Sequence, residues 1–341
     1  MSELAADLRD LVGDLVARTT DGGTPAAALR LWERARELGL PQVGVPEEFG
    51  GSGGTLSDLL VLVHTLGTHG IGLPIVEASV ADWVLGEHRD DSWATIAFAG
   101  SSSPTPADRV TGEFPAVPWA RNADRLVLCM ADDVAVAVDL RHESVIVHAE
   151  DNIAGEPRDT VVLAQTPVTP IVGSPPVSAI RDRLALLWST AVAGAAHGAY
   201  RLTKSHVAQR RQFDAPLLKL PAVATNLATM RVHLMQADAA LASAGGTADS
   251  AGVAIARITT AAAATEIARL AHQLHGAIGI TQEHPLHHYT RRLWAWRDAL
   301  ATERDWCAVL GAYASEGGEH EVWTRLTASS TSTVESERCR G

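Results

Sequence analysis

From Ile180 to beyond Tyr313 the sequence is Ala-rich, and its apolar residues recur at steps of three and four. The runs LALLWSTAVAGAAHGAYRLTKSHVAQRR, LPAVATNLATMRVHLMQADAALASA and SAGVAIARITTAAAATEIARLAHQLHGAIG are each long enough for one helix of a bundle. GGTADS separates two of them as a hairpin loop would. The stretch VAIARITTAAAATEIARLA is apolar on more than one side, which predicts burial beyond a single domain and hence oligomerisation.

The rest of the chain has two further textures. Residues 1–88 read as helical: LAADLRDLVGDLV and AAALRLWERARELGL carry the same period, Gly39 supplies a stop, and another helix starts near Thr55 or Ser57. Residues 89–178 change to short β-branched runs (RLVLCM, DVAVAVDL, SVIVHA, TVVLAQTPVTPIV) separated by Asp, Asn, Gly and Pro, the pattern of a small β domain. The bundle then covers residues 179–315. The Ser/Thr-rich stretch 316–341 lacks apolar period and reads as disordered. The expected class is α+β.

Composition narrows the function. A formal charge of −12 opposes nonspecific contact with nucleic acid or anionic lipid, because both need positive potential across the contact surface. Cys129, Cys307 and Cys339 form neither a CxxC pair nor an even framework, which fits a reducing compartment. The N-terminal stretch MSELAADLRDLVGDL alternates charged with apolar residues, and no later apolar run of about 18 residues is free of charge. A cytoplasmic protein is expected.

Four stretches, in order, give this layout a more specific meaning: ELGLPQVGVPEEFGGSGG, VTGEFPAVPWARNADRLVL, VAQRRQFDAPLLKLPAV and HQLHGAIGITQEHPLHHYTRR. With them the chain resembles the acyl-CoA dehydrogenase family, FAD enzymes that introduce a Cα–Cβ double bond into acyl thioesters. The resemblance runs from about Leu29 to Ala314. It implies an N-terminal helical domain, a middle β domain and a C-terminal four-helix bundle.

The resemblance also implies site residues. The family's Arg-x-x-Phe-Gly motif, whose Arg reaches the FAD pyrophosphate of a neighbouring subunit, falls on Arg210, Phe213 and Asp214, with Asp in place of Gly. Its Gln-x-x-Gly-Gly-x-Gly motif falls on Gln273, Gly276, Ala277 and Gly279, with one Gly replaced by Ala. Arg suits two phosphates by charge and fork geometry, and small residues let backbone N–H groups approach them. Read without the family, Arg210 is a solvated helix end and the glycines a helix C-terminal turn. Likewise Val45 to Gly51 reads as a structural turn.

The chemistry needs a carboxylate beside the thioester α-carbon. Of the two positions the family uses, one falls on Leu300 and the other on Leu184, so no catalytic base is expected here. The nearest acids are Asp298, Glu303 and Asp182, with Glu303 the fallback. The strand that encloses the flavin ring keeps Val117, Pro118 and Trp119 but loses its polar contacts, and the preceding segment shrinks to AFAGSSSPTPADR. Members of an actinobacterial steroid-degrading subset form α2β2 heterotetramers in which one subunit supplies the Glu and ring pocket and the other supplies contacts to the adenosine-diphosphate half. This chain resembles the second type. A self-sufficient homotetramer using Glu303 and a non-catalytic acyl-CoA-binding scaffold remain the alternatives.

His272, His275, His284, His287 and His288 include helical spacings of three and four, yet no Cys or carboxylate completes a metal set. The expectation is packed or surface histidines and no metal. Arg291, Arg292, Trp294, Trp296 and Arg297 read as inter-helix packing in so acidic a chain.

Overall fold

The computed structural model describes residues 3–17, 25–47, 50–86, 92–100, 108–212, 214–247 and 249–338. Four helices come first: α1 (Glu3–Ala17), α2 (Pro25–Glu37), α3 (Leu56–Thr68) and α4 (Ile75–Leu85). Thr55 starts α3 through a capping box, its hydroxyl accepting from the Asp58 amide while the Asp58 carboxylate accepts from the Thr55 amide. Gly39 follows α2 at φ 70°, the left-handed turn expected of it.

A six-stranded sheet follows, formed by β1 (Ala94–Phe98), β2 (Arg109–Pro118), β3 (Arg125–Cys129), β4 (Ala135–Asp139), β5 (Val145–His148) and β6 (Arg158–Pro170). The long β6 is its spine: it pairs with β2 from Arg158 to Pro167, with β5 over Thr160 to Leu163, and at its end with β4. β3 joins β4, and β1 runs parallel to β3 at the edge. β2 contains two prolines and a glycine, a poor strand signal. The structure accommodates them with register shifts between Val110 and Gly112 and between Phe114 and Val117, where Pro115 owes the ladder no amide.

The last part is helical: α5 (Val177–Gln209), α6 (Pro221–Thr247), α7 (Ser250–His275), α8 (Leu286–Arg297) and α9 (Glu303–Arg338). α3 and α5 meet backbone to backbone. A Cβ on Gly67 would stand 2.5 Å from the Ala191 carbonyl oxygen, and one on Gly194 would stand 2.2 Å from that of His64. One apolar cluster runs from α1 through the sheet into the bundle, so the helical and β parts share a core. Residues 250–280 are long and apolar enough to cross a membrane, but 56% of their apolar window is buried inside the protein.

Of the stretch 316–341 expected to be disordered, residues 339–341 lie outside the described residues. The backbone is helical to Arg338, broken at Gly318, whose φ of 71° is non-helical. A helix needs only local hydrogen bonds, and this stretch contains no proline to remove one.

Candidate active site

The residues expected to meet cofactor phosphates lie at one end of the bundle. Arg210 is the exposed C-cap of α5. The following turn is held by Arg211, which donates to the Asp214 carbonyl at 2.7 Å, and Asp214 takes a φ of 61°. Phe213 lies outside the described residues. α7 ends at Gly276 with φ 64° and ψ −145°, a conformation that favours glycine, and a 3-10 turn covers Gly276–Ile280. Gln273, Gly276 and Ala277 are exposed. Gly279 is buried, and a Cβ there would stand 2.8 Å from that of His275. Stacking of His206 on His275, with centroids 4.4 Å apart, joins the α5 and α7 ends.

Both positions expected to carry the base are hydrocarbon in the structure as well. Leu184 is 3% exposed on α5. Leu300 sits between α8 and α9 at φ 79°, a strained value for leucine, and packs against the core. The buried Arg257 holds this connection, donating to the carbonyls of Arg297 (2.6 Å) and Ala299 (2.9 Å). The nearby acids are placed otherwise. Asp298 pairs with Arg297 at 2.6 Å, Asp182 accepts from the Ser250 hydroxyl, and Glu303 is exposed in the first turn of α9.

A cleft of about 330 Å³ opens where the first helices, the sheet and α8 converge, with Trp119, Arg121, Glu156, His288 and Arg292 on its wall. Its polar groups are occupied. Arg121 is held by the buried Asp159 carboxylate at 2.7 Å and by Asp151 at 2.8 Å. Glu156, 4% exposed, accepts from Arg292 Nε at 3.1 Å, Trp296 Nε1 at 2.9 Å and Asn152 Nδ2 at 3.1 Å. Behind it, Trp119, Trp188, Trp296 and Glu156 leave about 20 Å³, room for about one water molecule. Nearby Glu77 is 1% exposed, neither carboxylate oxygen has a hydrogen bond, and Arg158 stands 3.7 Å away. Burial pushes its carboxyl up to about 7.

Residues 4–88 match the acyl-CoA dehydrogenase N-terminal domain, and residues 182–297 match the acyl-CoA dehydrogenase C-terminal domain. The chain belongs to the acyl-CoA dehydrogenase family. It is 27% identical over 329 residues to the acyl-CoA dehydrogenase IpdE2 of Mycobacterium tuberculosis, covering 93% of this chain and 96% of that one. Among solved structures, the ChsE4-ChsE5 complex of Mycobacterium tuberculosis matches with a TM-score of 0.83 at 20% identity, over 93% of this chain and 98% of the other. A G363A variant of the Tcur3481-Tcur3483 steroid ACAD matches with a TM-score of 0.80 at 21% identity, over 93% and 98%.

FAD is the cofactor of this family, and the chain fits its two halves unequally. The exposed Arg210, Gln273 and the Gly276–Gly279 turn could hold phosphate and adenosine from outside, where donors stand around one open edge. On the ring side, Trp119 lines both the cleft of about 330 Å³ and the small space against Trp188 and Trp296, and Arg121 on the cleft wall is committed to carboxylates.

Sequence reasoning missed Glu156, Glu77 and one histidine group. Glu156 could have been suspected from Arg292 and Trp296, which stand four apart on α8 and converge on it; no signal near Glu77 gave it away. His206, from α5, joins His275 and His284 in a group whose ligand atoms lie within 4.8 Å of one another. Spacing along α7 and α8 could not show that grouping, because one member comes from another helix. His287 instead lies against His288 at a tilt of 42°, with centroids 4.0 Å apart, and His272 contacts the Thr290 hydroxyl at 3.0 Å.

Proposed function

We propose that this chain is the non-basic subunit of an FAD-dependent acyl-CoA dehydrogenase that oxidises a bulky, steroid-type acyl-CoA in an α2β2 assembly with a homologous subunit. The observation that carries this reading is leucine at both positions where the family places its base, Leu184 buried on α5 and Leu300 packed against the core. FAD, when bound, supplies the acceptor for the β-hydride. The partner supplies the carboxylate that takes the α-proton. This chain contributes Arg210, Gln273 and the turn from Gly276 through Ala277 to Gly279, which pair with phosphate oxygens and seat the adenosine of FAD held mainly by the partner, together with Phe213 of the same motif. Glu303, solvent-exposed and away from both cavities, favours this division of labour over a self-sufficient enzyme. Two of the solved structures similar to this chain are complexes or paired-chain enzymes of this family, which supports a homologous partner. We place the assembly in the cytoplasm.

The test is co-expression with each homologue encoded beside this chain, followed by acyl-CoA-dependent ferrocenium reduction. One homologue should co-purify and give a yellow, active complex whose activity depends on its own glutamate. If no homologue restores flavin or turnover, the reading is wrong.

A further inference from the structure

We propose that His206, His275 and His284 bind one divalent transition-metal ion of the zinc class. The geometry suits it. With about 2.1 Å from metal to nitrogen, an imidazole centroid stands about 3.2 Å from the ion it ligates. The ligand atoms lie within 4.8 Å of one another and the ring centroids 4.4, 4.6 and 5.8 Å apart, so the stacked His206 and His275 rings need only turn for the three nitrogens to converge on one ion. Three imidazoles with a water in the fourth position form a recognised zinc set, so the missing Cys or carboxylate is no bar.

The donor chemistry agrees. His275 is 6% exposed; its Nδ1 donates to the Ala271 carbonyl at 2.8 Å, which fixes the tautomer and leaves Nε2 with a lone pair. That buried Nε2 has no hydrogen-bond partner, an uncompensated polar atom that a cation would satisfy. Burial lowers His275 to about 4 and lowers His206 and His284 as well. His284 Nδ1 accepts from the Leu286 amide at 3.2 Å; ligation through Nε2 moves its proton to Nδ1 and releases that first-turn amide to water. The other candidate group, His64, His197 and Asp238, is less suited, because His197 Nε2 is already engaged by Asp238 at 2.9 Å. The ion would tie the end of α5 to the connection between α7 and α8, and this inference stands independently of the proposed subunit role.

Equilibrium dialysis of the untagged full chain against Zn2+, with Co2+ absorption as a probe of four-coordinate geometry, tests the assignment. One equivalent should bind and raise the unfolding temperature. His206→Gln and His284→Gln should each weaken binding by more than about tenfold and remove the thermal shift, since a lost ligand costs at least what a lost outer partner does. His197→Gln should change neither. Absence of binding at micromolar Zn2+, retention of the bound equivalent in both His206→Gln and His284→Gln, or its loss in His197→Gln would overturn the assignment.

Discussion

On the proposed reading, Leu300 and Leu184 stand where the family places a carboxylate that must be charged to work. A leucine cannot accept a proton, and of the nearest acids Asp298 is paired with Arg297, Asp182 with Ser250, and Glu303 is exposed in the first turn of α9. On the proposed division of labour, restoring one carboxylate does not restore the partner's share of the flavin site. Leu300→Glu in the chain alone should therefore give no acyl-CoA dehydrogenation in a ferrocenium assay. Arg210 is the opposite case, an exposed cation at a helix end without a salt-bridge partner among the described residues. Arg210→Gln should leave the urea midpoint of the chain unchanged, as an exposed substitution does, yet weaken flavin retention in the complex about 10- to 100-fold. Flavin release on dilution measures it.

At the scale of elements, two buried carboxylates join parts of the chain distant in sequence. Glu156, in the connection between β5 and β6, fixes α8 through Arg292 and Trp296. Glu156→Ala strands the Arg292 guanidinium and should cost about 3–5 kcal/mol, read as a lower urea midpoint. Glu77 on α4 faces Arg158 of β6 without a hydrogen bond. Its folded pKa, about 7, lies above the ordinary 4.5, so the folded chain holds a proton that the unfolded chain releases between those values. Stability therefore falls as pH rises from about 4.5 to 7, by about 3 kcal/mol, and the loss is complete above 7. In Glu77→Gln this part of the pH dependence should vanish, which urea midpoints at pH 5 and pH 8 can resolve.

The elements themselves were largely legible, and the side chains that join them were not. Apolar periodicity located α5 to α7, and β-branched runs located β3 to β6, because these signals are local. β1 escaped notice among the short apolar runs, and prolines disguised β2. Glu77, Glu156 and the grouping of His206 with His275 arise from contacts between segments up to 140 residues apart, which no window along the sequence can see.

On the scale of the whole molecule, apolar surface and site chemistry point the same way. Ile278 and Ile280 are 45% and 78% exposed in the turn that the proposed function assigns to FAD, so that turn offers a partner hydrocarbon surface. On the proposed reading, a family member with leucine at both base positions works as half of a catalytic unit. The direct test is the flavin-to-protein ratio of this polypeptide purified by itself, followed by incubation with added FAD and an acyl thioester. The expected result is negligible retained flavin and no enoyl product. A preparation that saturates with flavin and forms the enoyl thioester unaided would contradict the account.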